Sequence, residues 1–192
     1  VCACLNANDP LKDMRMVLSQ CQDMGVMSVS NIGPSISYVD KDSNLYKVLH
    51  KSGITFQNEI DMLKLAREMQ MVTIGLAFDL EDSMAMVEQV RPDIFCFHAG
   101  TTKGGLVGYD SGESIVETAK RTDDAYKKLK KIYPEIILIG HGAAMETPED
   151  AQYMLDHTCG HGVWTGSSTE RLPIEKAVLE AAREFSGLRF SK

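Results

Sequence analysis

The chain has 192 residues, 44% hydrophobic and 24% charged, the composition of one soluble globular domain able to bury a core. Twenty basic residues against 27 acidic give a formal charge of −7, and without a basic run this argues against binding to a nucleic-acid backbone or an anionic membrane surface. Apolar runs such as Ile136 to Ile139 fall far short of the roughly 20 residues a membrane helix needs.

Six short apolar or β-branched runs are each followed by a stretch with apolar residues at helical spacing, a βα repeat. The expected strands are Val1 to Leu5, Met27 to Asn31, Met71 to Phe78, Ile94 to His98, Ile136 to His141 and Gly162 to Gly166. None alternates cleanly, as expected of parallel strands covered on both faces. Asp9 followed by Pro10 reads as an N-cap with a first-turn proline, and Thr147-Pro148-Glu149-Asp150 repeats the pattern. Inward stripes are expected at Leu11, Met14, Leu18 and Cys21, at Ile115, Ala119, Thr122, Tyr126 and Leu129, and at Ile174, Ala177, Val178, Ala181 and Phe185. No Pro-, Ser- or charge-rich linker divides the chain, so residues 1–192 read as one α/β domain. At about 32 residues per unit, eight units would reach the roughly 250 residues of a (β/α)8 TIM barrel, so the chain reads as six units of one, with about two missing at the N-terminal side. An open doubly wound sheet would accept six units equally well.

Cys2 and Cys4 stand in a CxC pair while Cys21, Cys96 and Cys159 stand alone, which fits neither a disulfide framework nor a zinc ribbon and points to the reducing cytoplasm. The chain opens on Val1 inside an apolar run with no signal-peptide pattern, so its start is expected to lie inside a larger protein with a fused or N-terminal partner domain.

In either parallel architecture the active site lies at the carboxyl ends of the strands. Those positions are enriched in polar residues and glycine. His98 and His141 end the fourth and fifth strands and could be acid/base groups or metal ligands. Gly166, Ser167 and Ser168 beside Gly142 form a candidate anion-binding turn, with Arg171 and the acid Glu170 following. Asp9 and Glu146 could hold a hard ion such as Mg²⁺ at the same mouth. Residues 99–112 carry five glycines with Thr101, Thr102 and Lys103, a candidate lid. Glu59, early in a helix, reads as a favourable dipole interaction, and His50, His157 and His161 as surface or capping residues. No stretch fits GxxxxGK[ST] or GxGxxG, so no nucleotide cofactor is expected.

Taken in order, Asn31-x-Gly33-Pro34, His98-x-Gly100-x-Thr102-x-Gly104-Gly105, His141-Gly142, Pro148-Glu149-Asp150-Ala151-Gln152-Tyr153 and Gly166-x-Ser168-x-Glu170-Arg171-Leu172-Pro173 resemble the phosphoenolpyruvate hydrolase-like TIM-barrel family. That family stands near the phosphoenolpyruvate mutase and isocitrate lyase superfamily and also forms the C-terminal barrel of a plant tobamovirus-resistance protein. The sequence departs from it at Ala143-Ala144, where the family has Gly-Pro, and at Asn6-Ala7-Asn8, where it has a Gly-Thr run. The resemblance implies a barrel beginning about two units before Val1. It also implies a small anionic substrate, phosphorylated or a 2-oxo acid, and lyase or hydrolase chemistry, often with Mg²⁺. Catalysis would fall to His98, His141 and Glu170. Substrate binding would fall to Asn31, Gly100, Thr102, Gly104, Gly105, Gly142, Gly166, Ser167, Ser168 and Arg171, with any metal at Asp9 and Glu146, in a homo-oligomer. A ligand-sensing or scaffolding barrel without turnover is the competing expectation.

Overall fold

The computed structural model describes residues 1–31, 35–109 and 111–189. Six parallel strands form one sheet in sequence order: β1 Cys2–Cys4, β2 Ser28–Ser30, β3 Val72–Ala77, β4 Ile94–His98, β5 Ile137–His141 and β6 Gly162–Val163. A doubly wound sheet reverses its strand order at a switch point. Here no reversal occurs, and the order is that of six consecutive units of a TIM barrel. The helices are α1 Met14–Asp23, α2 Asn44–Lys51, α3 Phe56–Glu68, α4 Leu80–Val90, α5 Ile115–Ile132, α6 Pro148–His157 and α7 Arg171–Ser186. From α3 to α6 each packs on the next, as in the outer layer of a barrel.

Strand parity divides the sheet. Val29, Thr73, Ala77, Phe95, Phe97 and Leu138 share one face and are 3% exposed or less. That face meets the helices: a Cβ on Gly75 would lie 2.9 Å from Met86 of α4, and one on Gly140 would lie 3.3 Å from the Tyr126 hydroxyl of α5. Each fully buried aliphatic or aromatic side chain of this layer contributes about 1.5–3 kcal/mol. The opposite face carries Ile74, Leu76, Cys96 and Ile139 and leads to His98 and His141, with Val72 and Ile137 at its amino end still 46% and 45% exposed.

Two sequence expectations are corrected. Helix α1 starts four residues later than the Asp9-Pro10 signal: Asp13 is its N-cap and accepts the Met16 N–H at 3.0 Å. Two aspartates compete for the cap. Starting after the second places Leu18 and Cys21 in the core, leaves Leu11 93% exposed, and confines Asp9 to a turn that accepts the Leu11 N–H. The stripe on α7 is not inward: Ile174, Val178 and Phe185 are 64%, 61% and 75% exposed, because α7 follows the edge strand β6 and no element among the described residues covers it. The Thr147 signal matches the structure, with a reciprocal capping box between Thr147 and Asp150 and Pro148 in the first turn of α6. The Gly33-Pro34 part of the family motif lies outside the described residues.

Candidate functional site

His98 and His141 are register partners at the ends of β4 and β5, their rings 4.4 Å apart at 80°. Both lie on the parity that faces away from the helices. The His98 Nδ1 accepts the Gly100 N–H at 3.2 Å, which places its proton on Nε2. Burial, reinforced by the neighbouring His141, pushes the His98 pKa down to about 3, so the ring is a neutral donor at physiological pH. His141 is set the other way. Its Nδ1 meets the Trp164 carbonyl at 2.5 Å and must donate there, leaving the Nε2 lone pair as the reactive atom. Gly142 permits this closeness: its φ is +81°, and a Cβ there would strike the Gly100 carbonyl and lie 2.9 Å from His98 Cε1.

An aromatic row continues from the pair. Phe78, just after β3, stacks on His98 at 4.0 Å, and Tyr38 meets Phe78 edge-on at 4.9 Å. The Tyr38 hydroxyl pairs with Thr101 at 3.0 Å, tying the segment after β2 to the loop after β4. Beside this row opens a cavity of about 610 Å³, lined from the carboxyl ends of all six strands, from Asn6 after β1 to Ser167 after β6.

Glu59 is the residue that sequence reasoning missed. Instead of facing solvent it is 2% exposed, and its carboxylate accepts from Asn31 Nδ2 at 2.6 Å, Ser35 Oγ at 2.8 Å and the Ile36 N–H at 3.0 Å. Burial pushes its pKa up to about 7, against the pull of those three hydrogen bonds. The side chain of Asn31 also exchanges hydrogen bonds with both backbone groups of Leu76, so this amide is spent on holding the β2 end and Glu59 together. Ser35 and Ile36, fixed by Glu59, line the cavity.

The glycine-rich loop is docked at several points. The Ala99 N–H donates to the His141 carbonyl at 2.8 Å, and the Lys103 N–H to Ala143 at 3.0 Å. Arg171 donates to the carbonyls of Gly104 at 2.9 Å and Thr102 at 3.3 Å and pairs with Glu175, which itself accepts the Leu106 N–H at 2.8 Å. Arg171 therefore holds the loop and does not line the cavity, whereas Thr102 does. Gly104 and Gly105 lie against the carboxylates of Glu146 and Glu175, where a Cβ would collide.

Of the two serines, Ser167 lines the main cavity, while Ser168 lines a separate one of about 360 Å³ with Gly142, Glu146 and Thr169. Gly166 packs on His141, and its carbonyl accepts the N–H groups of Thr169 and Glu170. Glu170 is exposed at the start of α7 and is not brought to the histidines. The residues proposed for Mg²⁺ do not fit it: Asp9 caps Leu11 and pairs with Lys12 at 3.4 Å, Glu146 faces Lys103 at 3.9 Å, and no three His, Cys, Asp or Glu converge as ligands among the described residues. His157 bonds the carbonyl of Tyr153 in its own helix, and His161 accepts the Leu138 N–H at 2.9 Å.

The chain is 31% identical over 183 residues to the ToMV resistance protein Tm-1(GCR237) of Solanum lycopersicum and 30% identical to the ToMV susceptible protein tm-1(GCR26) of the same plant, covering 95% of this chain and 24% of each relative. It is 21% identical to the putative transcriptional regulatory protein y4pA of Sinorhizobium fredii, covering 29% of that protein. The chain thus spans about a quarter of the length of the curated relatives it matches. The YdjI aldolase of Escherichia coli K12 is similar over 92% of this chain and 65% of its own, at TM-score 0.39 and 15% identity, too distant to inform the site. The model of the phosphoenolpyruvate hydrolase-like family matches residues 1–188, and the chain belongs to that family.

Proposed function

We propose that the chain carries the active site of a lyase or hydrolase acting on a small 2-oxo or phosphorylated carboxylic acid, the 2-oxo acid being the better fit. The observation that carries this reading is the His98–His141 pair, two imidazoles in register with opposite donor and acceptor settings. His141 Nε2 takes the proton whose loss starts the reaction, from a carbon beside the carbonyl or from a hydroxyl beside the bond to be broken. The electron pair moves to the carbonyl oxygen, and His98 Nε2–H stabilises the resulting enolate without itself becoming charged beforehand. A phosphate fits less well because no Lys or Arg lines the cavity among the described residues. A turnover screen of the full-length protein against 2-oxo and phospho acids tests the reading, with turnover of a 2-oxo acid as the expected result.

The relatives are named for resistance, susceptibility and regulation, which favours a second reading: a barrel that binds its ligand without turnover. Tight binding with no reaction in the same screen would select it.

We also propose that two further βα units complete the barrel, covering the half-exposed face at Val72 and Ile137 and the apolar stripe of α7. The cytoplasm remains our proposed location, resting on five unpaired cysteines. No helix of the described residues is long and apolar enough to cross a membrane.

A further inference from the structure

The cavity is chemically two-ended. At the β4 and β5 side stand the histidines with Thr101 and Ser167, all hydrogen-bonding groups. At the β2 side the lining is mostly hydrocarbon: Ile36 and Val39 after β2, Leu49 from α2, and Ile54 before α3, with Ser35 beside them and Tyr38 and Phe78 between the two ends. Strands β2 and β4 are two places apart in the sheet, so the ends are separated by roughly 10 Å at about 4.8 Å per strand. A ligand as small as pyruvate would fill the polar end and leave the apolar end as wetted hydrocarbon.

The polar groups are also uncharged. His98 is neutral, and no cation lines the cavity among the described residues. Asn8 adds a donor whose orientation is fixed by its partners: its Oδ1 accepts from the Thr55 N–H at 3.0 Å and from Asn58 Nδ2 at 2.7 Å, so the remaining Nδ2 is the donor. That Nδ2 is buried without a hydrogen-bond partner, and Asn8 lines the cavity. Held by Thr55 and Asn58, Asn8 borders the apolar end beside Ile54.

We propose that the ligand is a 2-oxo acid bearing an apolar body, an aryl or branched alkyl group, with its carbonyl at the histidines and its body against Ile36, Val39, Leu49 and Ile54. The assignment deepens the functional reading above and rests on it for the carbonyl, while the apolar end stands on the lining alone. Burying such a body removes enough hydrocarbon from water to strengthen binding about tenfold or more over the same head group without it.

Calorimetric titration of the full-length protein with pyruvate, phenylpyruvate, 4-methyl-2-oxopentanoate and phosphoenolpyruvate tests this. Phenylpyruvate or 4-methyl-2-oxopentanoate is expected to bind at least about tenfold tighter than pyruvate, with phosphoenolpyruvate no tighter than pyruvate. In Leu49→Asp, at a partly buried position packed against the core, the preference for the apolar acids over pyruvate is expected to vanish, with retained binding of pyruvate showing that the variant is folded. Equal affinities for all four, tightest binding of phosphoenolpyruvate, or binding of none overturns the proposal. Tight binding of the apolar acids without turnover leaves it standing and overturns only the catalytic reading.

Discussion

His98 and His141 sit side by side in the sheet, yet one offers its Nδ1 as an acceptor to Gly100 and the other uses its Nδ1 as a donor to Trp164. The backbone of two different loops thus sets two chemically identical side chains to complementary tasks. Changing either loop would alter protonation at the site without touching a histidine.

The pH dependence of stability follows from two groups that pull in opposite directions. The His98 pKa is depressed to about 3, so its contribution is fully present above the ordinary histidine value and is lost as pH falls from about 6.5 toward 3. The Glu59 pKa is raised to about 7, so its contribution is present below the ordinary glutamate value and is lost as pH rises from about 4.5 to 7. Between about pH 4.5 and 6.5 the two slopes offset. In Glu59→Gln only the histidine slope remains, and chemical denaturation should show stability rising more steeply with pH over that window than in the wild type. Parallel pH profiles would mean that Glu59 is not buried against Asn31 and Ser35.

Arg171 is expected to act on the loop and not on the substrate directly. Arg171→Ala removes the donors to Thr102 and Gly104 and frees Glu175 to move, so the amide of Leu106 should exchange with deuterium faster while exchange in β4 and β5 stays unchanged. Each lost hydrogen bond to a charged group is worth about 1.5–3 kcal/mol at most, less here because the pair is partly solvated. Unchanged exchange at Leu106 would show that the loop is held by other contacts.

Completion of the barrel predicts the environment of the edges. In the full-length protein the side chains of Val72, Ile137, Ile174 and Val178 should be covered, and the edge strand β1 should gain a hydrogen-bonded neighbour on its open side. A structure of the full-length protein checks this directly, and an edge left open to solvent or sealed by a second copy of the same chain would contradict it.

The fold was legible where a residue's role depends on its own neighbours in sequence. An apolar run ending in histidine twice located β4, β5 and the neighbouring histidine pair, and Thr147-Pro148 located α6. Reading failed where partners are distant. Glu59 looked like any first-turn acid because Asn31 and Ser35 lie 28 and 24 residues away. Arg171 reads as a substrate contact from the sequence because its partners, Thr102 and Gly104, belong to another loop 69 and 67 residues away. Choosing Ser167 over Ser168 for the main cavity was beyond strand parity, since β6 ends at Val163 and a turn intervenes.

The most direct measurement is proton exchange, which does not require the natural reaction to be known. A 2-oxo acid incubated in D2O with the full-length protein should lose its C3 proton signals by NMR faster than in buffer. His141→Asn, which keeps a donor for Trp164 but no basic nitrogen, should slow the exchange by about 10²- to 10⁴-fold. Exchange at the buffer rate in the wild type, or at an equal enhanced rate in the variant, would contradict the assignment of His141 as the base.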